Sequence, residues 1–389
     1  MALPLYYNVR NLKTRWQVTL LAISGIALVV AVLVVLLAMS SGFRLALRAT
    51  GRPGNAIVVQ SGSGSELTSA VPLNHRQMLE VDPRVARDDE GRPLSSPEMV
   101  VVNNMRRRTD GEPTNVTVRG VTPKAYEVRG GIEIVDGRRF TPGLDEIIVG
   151  RRIAERIQGL DVGNTIEIQN RDWKVVGLFA SQGGAFESEI WGDYEIMGPA
   201  FRGAVYSSSL VLRLKDPATL ESFDDDVRAN PDMQLRAYDE RQYYEDQAGP
   251  VSGSLMVLAV FVSVVMGVGA VFGAMNTMYA IVAARTREIG TLRALGFSRR
   301  AILLAFVIES VFLALVGGAV GCLLALPANG YTTATGQTAS FSEVAFAFRV
   351  TPELLVAGLV FAVGMGLVGG LLPALRAARL PITSALREA

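Results

Sequence analysis

A short segment at 284–295 concentrates charged and aliphatic side chains between two long apolar stretches. Its charged residues are three arginines and one glutamate, and its large aliphatic residues recur at three-residue intervals: Arg285, Arg287, Glu288 and Arg293, with Ile289, Leu292 and Leu295. On a helix, side chains at i, i+3 and i+6 form a narrow apolar stripe. The chemistry that such a segment offers is docking, in which apolar area supplies contact and charges set the orientation.

The arginines alone have a simpler explanation, since the cytoplasmic loops of membrane proteins are enriched in Lys and Arg. The order of the residues favours docking. Gly296 is placed to end the helix, and Ser298 is placed to cap the helix that follows. We therefore predict a small amphipathic helix at the membrane face, within a cytoplasmic segment at 284–300.

Covalent chemistry has few residues to draw on in this sequence. There is one histidine, His75, and one cysteine, Cys322, so a histidine metal cluster, a catalytic triad and a disulfide framework are not expected. No G-x-x-x-x-G-K-[ST] motif occurs, so the sequence offers no P-loop for ATP. The net charge of +1 gives no reason to expect a nucleic acid partner. We expect a chain that is not an enzyme and has no cofactor of its own.

The charged segment at 284–295 lies in a chain that contains four long apolar stretches. The chain has 389 residues, 49% of them hydrophobic and unevenly distributed, which indicates a membrane protein with a water-exposed part. Each stretch reaches the roughly 20 residues that a membrane helix needs, and we predict these spans: 17–43, 251–283, 301–326 and 354–375. The first is retained rather than cleaved, because a signal peptide has a shorter apolar core.

The distribution of Lys and Arg sets the predicted topology. The termini at 1–16 and 376–389 are expected in the cytoplasm, and the segments 44–250 and 327–353 outside. The second apolar stretch has no charge from 247 to 284. As one helix it would be about 57 Å long, against a hydrocarbon core of about 30 Å. We therefore predict a rod that projects beyond the membrane.

The segment 44–250 is long enough to form one or two domains of its own. Strand–helix–strand patterns at its two ends predict one α+β layer, interrupted by a mostly β insertion at about 122–205. Within the insertion, a hairpin is expected to turn at 170–172. The acidic run 224–226 is interpreted as a solvated helix face. Four large aromatics could either form the core or line a substrate surface, and core packing is the simpler explanation: Trp173, Phe179, Phe186 and Trp191. The fold class is thus four transmembrane helices with a large α+β extracytoplasmic domain between the first two.

One carboxylate and three glycine pairs lie inside the predicted spans. Glu309 at membrane depth would cost roughly 2.5–3.5 kcal/mol. It is interpreted as a structural contact at a helix interface, with proton transfer as the alternative. Glycines four residues apart let helix backbones approach closely, and we predict a compact bundle or a dimer from these pairs: Gly269 and Gly273, Gly317 and Gly321, Gly366 and Gly370.

The runs RTREIGTLRALGFSRRAIL and IESVFLALVGGAVG resemble the permease subunits of ABC transporters of the MacB, LolC and FtsX type. The outer segment adds the order GV-x-P-x-x-Y-x-V, DGRRF, EIIVG and V-x-G-x-F, and the tail adds PALRAARLPITSALRE. The resemblance implies that 284–295 is a cytoplasmic coupling helix that docks on an ATPase, and that ATP and Mg bind on that partner chain.

The same resemblance implies the partners and the setting. Two copies of an ABC ATPase and a second permease, identical or homologous, would complete the assembly in a bacterial inner membrane. A periplasmic adaptor, an outer-membrane channel and membrane lipids are further implied partners. The implied function is export or extraction of a hydrophobic or amphipathic substrate by mechanotransmission: a lipid, lipoprotein, drug or peptide. An FtsX-like subunit that regulates a cell-envelope enzyme is the alternative, disfavoured by the size of the outer domain. A receptor without ATPase coupling is disfavoured by the ordered coupling helix.

Overall fold

The computed structural model describes residues 16–202, 207–336 and 342–381. They divide into two compact units. The helical unit comprises the described parts of Met1–Ser41 and Phe348–Ala389, together with Gly253–Tyr331. The α+β unit comprises the described parts of Gly42–Ser252 and the segment Thr332–Ala347.

The helices, in chain order, are α1 (Trp16–Arg48), α2 (Leu73–Glu80), α3 (Ala125–Arg129), α4 (Arg151–Ala154), α5 (Tyr194–Arg202), α6 (Leu220–Ala229), α7 (Glu240–Ala284), α8 (Thr286–Ala294), α9 (Arg299–Ala325) and α10 (Pro352–Arg379). The strands are β1 (Asn55–Gln60), β2 (Ser95–Arg106), β3 (Pro113–Val121), β4 (Glu133–Gly137), β5 (Glu146–Gly150), β6 (Thr165–Ile168), β7 (Arg171–Ala180), β8 (Glu189–Asp193), β9 (Ser209–Arg213), β10 (Leu235–Asp239), β11 (Thr332–Gly336) and β12 (Glu343–Ala347).

Four helices of the described chain are long and apolar enough to cross a membrane: α1, α7, α9 and α10. Long apolar stretches become helices there because the bilayer core offers no water to pair with backbone N–H and C=O groups. Helix α7 extends over 45 residues without a break. The predicted helix longer than the bilayer is confirmed, and it begins eleven residues earlier than the predicted span.

The α+β unit is built on one ten-stranded sheet with the order β10-β1-β9-β2-β3-β8-β5-β7-β4, and β6 pairs with β7. β1 lies between β9 and β10, so the two ends of the segment pair into one layer, as predicted. The strands of the central region extend this same sheet through the long pair β2–β3 and the parallel pair β3–β8. One continuous sheet therefore supports both parts of the unit.

Three details of the structure differ from the sequence predictions. The β6–β7 hairpin turns at Gln169 and Asn170, one residue earlier than expected, because both residues adopt the positive φ that a two-residue turn requires. Asp225 and Asp226 lie on a solvated helix face as predicted, with side chains 68% and 71% exposed, whereas Asp224 accepts hydrogen bonds from Arg236 and from the backbone N–H of Ala237. The segment 327–353, for which no secondary structure is predicted, contains the β11–β12 hairpin, which belongs to the α+β unit. The four large aromatics are buried, which confirms that they are core residues.

Two buried arginines occupy the middle of the sheet. Arg119 of β3 donates hydrogen bonds of 2.7–3.1 Å to three carboxylates: Glu66, Glu98 and Glu189. Arg129, which ends α3, donates at 2.6 Å to Glu98 and also to Glu240, the first residue of α7. The ring of Phe186 lies 5.1 Å and 4.4 Å from the two guanidinium carbons. We call these two arginines and four glutamates the ionic core.

Further donors satisfy the remaining oxygens of the ionic core. Ser209 and Tyr244 donate to Glu66, Trp191 donates to Glu189, and Asn55 donates to Glu240. Burial alone would raise the pKa of Glu66, but the charge of Arg119 and its hydrogen bonds outweigh burial and lower that pKa to about 2. Glu66 therefore stays ionised, and the contacts of the ionic core tie β2, β3 and β8 to the start of α7.

We expect Arg119→Met to destabilise the protein by about 3–5 kcal/mol, because it leaves three buried carboxylates without their shared partner. Thermal unfolding of the full chain in detergent, followed by tryptophan fluorescence, measures this because Trp173 and Trp191 lie in the same unit. Arg92→Met is the matched control, since Arg92 pairs with Asp88 and Glu90 on the surface. Equal melting temperatures for the two variants would contradict the role of the ionic core.

The lowered pKa of Glu66 predicts a pH dependence. Because the folded-state pKa lies below the ordinary value of 4.5, the ionised carboxylate stabilises the fold at neutral pH. That contribution, on the order of 3 kcal/mol, is lost as the pH falls from 4.5 towards 2. We expect the gap in melting temperature between the unaltered protein and Glu66→Gln to narrow over this range. A gap that stays constant would show that Glu66 does not cause the acid sensitivity.

Candidate functional site: the coupling helix

Helix α8 begins directly after α7 and ends at a glycine turn. Gly296 has φ +94°, a conformation that favours glycine. The N–H groups of Gly296 and Phe297 bond to the carbonyls of Arg293 and Leu292, which closes the C-terminus. Ser298 Oγ accepts from the N–H of Ala301 at 3.2 Å and caps α9. The predicted roles of Gly296 and Ser298 are confirmed.

The apolar stripe of α8 does not face in one direction. Ile289 is buried in a cluster of the helical unit formed by residues of α7, α9 and α10: Met278, Val282, Ile302, Phe306, Ala374 and Ala377. Leu292 is half-buried, whereas Leu295 is 73% exposed. Each three-residue step turns the helix by about 300°, so Ile289 and Leu295 point about 120° apart. The prediction that Ile289 contributes to a docking surface is wrong, because its side chain anchors α8 to its own unit.

The arginines of the coupling segment also divide between inside and outside. Arg285 Nη1 donates to Glu309 Oε2 at 3.0 Å, and Arg285 Nε lies 3.5 Å from Glu288. Arg293 Nη1 donates at 2.9 Å to the carbonyl of Ala378, near the end of α10. These two arginines hold α8 against α9 and α10 rather than facing outward. Arg287 and Glu288 are exposed, and with Leu295 they form the outward face of the segment.

Glu309 lies in α9 and is only 4% exposed. Its contact with Arg285 is the structural contact expected of a carboxylate at a helix interface. The guanidinium offsets the cost of burying the carboxylate, and it lies 5.8 Å from the ring centre of Phe306. Sequence reasoning missed Arg285 as the partner, because 24 residues and a turn of chain separate the two.

Two of the three glycine pairs pack inside this chain. A Cβ on Gly321 would lie 2.5 Å from the carbonyl oxygen of Ala27 in α1, and one on Gly317 would lie 3.0 Å from Cβ of Ile26. Gly366 and Gly370 meet Ala314 and Ser310 of α9 in the same way. These two pairs therefore bear out the compact bundle rather than the dimer, since α1 of the same chain already fills the surface at Gly317 and Gly321.

The third pair has a different environment. A Cβ on Gly269 or Gly273 would meet no described atom within 4 Å. Both residues line a groove of about 570 Å³ between α1 and α7 in the helical unit, together with Gly25, Leu28 and Met266. Small residues at an open apolar surface suit the close approach of another helix or of a lipid chain.

These environments predict opposite responses to the same substitution. Gly321→Ala should destabilise the helical unit by about 1–3 kcal/mol, because its methyl group would collide with the backbone of α1. Gly273→Ala should leave the stability of the single chain unchanged, since its methyl group would enter open space. Thermal unfolding in detergent compares the two, and a larger loss for Gly273→Ala would contradict the packing.

The fold and this site define a class. A short amphipathic helix held between membrane helices, with a large α+β unit elsewhere in the chain, is the composition of an ABC transporter permease. The model of the MacB-like periplasmic core domain matches residues 19–230, and that of the FtsX-like permease C-terminal domain matches residues 260–382. The chain belongs to the family of ABC transporter permeases that combine these two domains. It is accordingly a multi-pass protein of the bacterial inner membrane.

Individual relatives agree with this assignment. The uncharacterized ABC transporter permease YknZ of Bacillus subtilis is 25% identical over 390 residues, covering 95% of this chain and 94% of the relative. A probable export ATP-binding/permease protein of Pseudomonas fluorescens is 27% identical over 315 residues, covering 76% of this chain and 47% of the relative. The macrolide export ATP-binding/permease protein MacB of Brucella abortus is 29% identical over 232 residues, covering 57% and 34%. The chain spans about half or less of the length of these two ATP-binding/permease relatives.

Proposed function

We propose that this permease couples ATP hydrolysis by a separate ATPase chain to movement of the α+β unit, and so exports or extracts a hydrophobic or amphipathic substrate. The observation that carries the proposal is the coupling helix α8. It is anchored on one side to α9 and α10 and presents charged and apolar side chains on the other. A helix held in this way can pass a push from a docked partner directly to the membrane helices.

The outward face of α8 supplies the docking surface. Leu295 provides apolar contact area, and Arg287 and Glu288 set the orientation of the partner. The inner anchors make the surface rigid, since Arg285 is fixed by Glu309 and Arg293 by the end of α10. ATP and Mg would bind on the partner, with one ATPase for each of two permease chains.

A second permease chain, identical or homologous, would pack on the groove between α1 and α7. Among the four long helices, α7 has the smallest buried share in its most apolar stretch. Its glycine pair Gly269 and Gly273 is also the one that no described side chain of this chain fills. This favours α7 as the place where two chains meet, with both termini and α8 in the cytoplasm and the α+β unit outside.

The names of relatives support export as the activity, since two of them are export ATP-binding/permease proteins. A periplasmic adaptor and an outer-membrane channel would complete an export path, and membrane lipids would surround the spans.

An FtsX-like role in regulating a cell-envelope enzyme is separated from export by one measurement. Export predicts that candidate lipids, lipoproteins or macrolides stimulate the ATPase of the complex, whereas regulation predicts that they do not.

The coupling helix is tested by Leu295→Asp, which places a charge on the outward face. We expect the yield of the ATPase that co-purifies with the unaltered chain to fall about tenfold, as for loss of an interface hot spot. The chain itself should fold and insert normally, because the Leu295 residue is 73% exposed and topology depends on total Lys and Arg.

Val81→Asp is the matched control, since Val81 is an apolar residue of the α+β unit, outside the helical unit, with a similar exposed fraction of 69%. Glu288→Arg is the second test variant and should bind the ATPase but couple it poorly. Normal ATPase binding and normal transport in both Leu295→Asp and Glu288→Arg would leave the segment as a topology signal only.

A further inference from the structure

The β11–β12 hairpin joins α9 to α10 along the chain, yet it is folded into the α+β unit. Three successive residues of β12 are almost completely buried: Val344, Ala345 and Phe346. The ring of Phe346 packs edge-on against Phe43, near the end of α1, with ring centres 5.4 Å apart. A surface loop would not bury these side chains, so the hairpin is an integral part of the unit.

Polar contacts hold the hairpin at Ala345 of its second strand and at Ser342, the residue before that strand. Ser188 Oγ accepts from the N–H of Ala345 at 2.9 Å, and Arg152 donates to the carbonyl of Ala345 at 3.1 Å. Thr117 of β3 donates to Ser342 at 2.8 Å. These contacts come from β3, α4 and the 3-10 turn Ala185–Ser188, so they attach β12 to three separate elements of the unit.

An ion pair between Arg156 and Glu343 also holds the hairpin. Glu343 accepts from Arg156 through one carboxylate oxygen and from Thr114 at 2.9 Å through the other. Its side chain is 12% exposed and that of Arg156 is 31% exposed. The Arg156 guanidinium stabilises the Glu343 carboxylate in this position, because a buried carboxylate without a partner is strongly destabilising.

The hairpin lines a small cavity of the α+β unit together with the ends of two membrane helices. A cavity of about 30 Å³, enough for a water molecule, is lined by Leu47 from the end of α1, Gln247 from the first turns of α7, and Ser342, Glu343 and Val344. All of these residues belong to the α+β unit. Residues from the end of α1 and from the start of α7 therefore line the same cavity as residues at the far end of the hairpin.

We propose that Arg156 and Glu343 form a latch that fixes the hairpin in the α+β unit, and that the latch stays closed while the transporter works. Helices α9 and α10 are then driven together with the unit through the hairpin, in addition to α1 and α7. The proposal rests on the proposed coupling function and names the residues that carry motion at the outer end of α9 and α10. Arg156 and Glu343 act as positioning residues.

The latch is tested first by cross-linking, which needs no ATPase. In a Cys322→Ser background, Thr117→Cys and Ser342→Cys replace two hydroxyl groups that lie 2.8 Å apart. Copper phenanthroline should oxidise this pair rapidly, as measured by the loss of free thiols. Adding Glu343→Lys should slow oxidation about tenfold, and exchanging the charges with Arg156→Glu and Glu343→Arg should restore it. Glu353→Lys is the matched control, with the same charge change on an exposed residue of the same outer segment, and it should have no effect.

The second arm tests coupling in the complex with its co-purifying ATPase, reconstituted in nanodiscs. Trypsin digestion of the α+β unit is compared without nucleotide and after trapping with ATP and vanadate. Glu343→Lys should keep the ATPase rate but reduce the ATP-dependent change in digestion, because only α1 and α7 would still drive the unit, and the charge exchange should restore the full change. The oxidised Thr117→Cys/Ser342→Cys protein should keep that change, because the latch works closed.

Two results would overturn the proposal. One is a normal cross-linking rate together with a normal ATP-dependent change in Glu343→Lys. The other is an oxidised cysteine pair that abolishes the change until a reductant is added, since the hairpin would then have to open. A lack of any ATP-dependent change in the unaltered complex would instead contradict the proposed function, and the cross-linking rates would still decide whether the latch exists.

Discussion

The α+β unit depends on the burial of two guanidinium groups among four carboxylates. Arg119 and Arg129 cannot leave the ionic core without exposing Glu66, Glu98, Glu189 and Glu240 to an apolar interior. Buried ion pairs add little net stability compared with apolar side chains of the same size, but breaking one is costly. The arrangement therefore acts mainly on specificity: β2, β3, β8 and the first turn of α7 fit together in one register, in which every charge finds its partner.

The helical unit follows a related rule at α8. Its two inward arginines end on acceptors of different kinds, a carboxylate in α9 and a backbone carbonyl near the end of α10. Ile289 fills the space between them with apolar contact. The anchoring contacts thus use one face of this nine-residue helix, and the proposed docking face is a different one. A partner that pushed on the outer face would meet a helix that is attached at both of its ends.

The sequence predicted the membrane helices and the ends of α8 well, because long apolar stretches and helix caps are local signals. The ionic core could not be predicted in this way. The alternation of apolar and polar residues in TNVTVRGV (114–121) indicates a strand with one solvent-exposed face. Thr117 and Arg119 lie on that face, but other parts of the chain bury them. The partners of Arg119 lie on three elements that are distant in sequence, and no spacing rule connects them. The prediction of one apolar stripe on α8 failed for a geometric reason. Residues at i, i+3 and i+6 do not share one direction on a helix, so Leu295 faces away from Ile289.

The β11–β12 hairpin also has a consequence for biosynthesis. The α+β unit is discontinuous in the chain, and its last piece, Thr332–Ala347, is made after α9. At about 5–20 residues per second, the ribosome needs roughly 4–16 seconds to go from residue 252 to residue 332. During that interval Phe43 lacks its contact with Phe346, and Arg156 lacks its contact with Glu343. The unit is therefore incomplete and leaves apolar surface around Phe43 exposed. Its folding is completed only after α9 has been synthesised and the hairpin has reached the same side of the membrane.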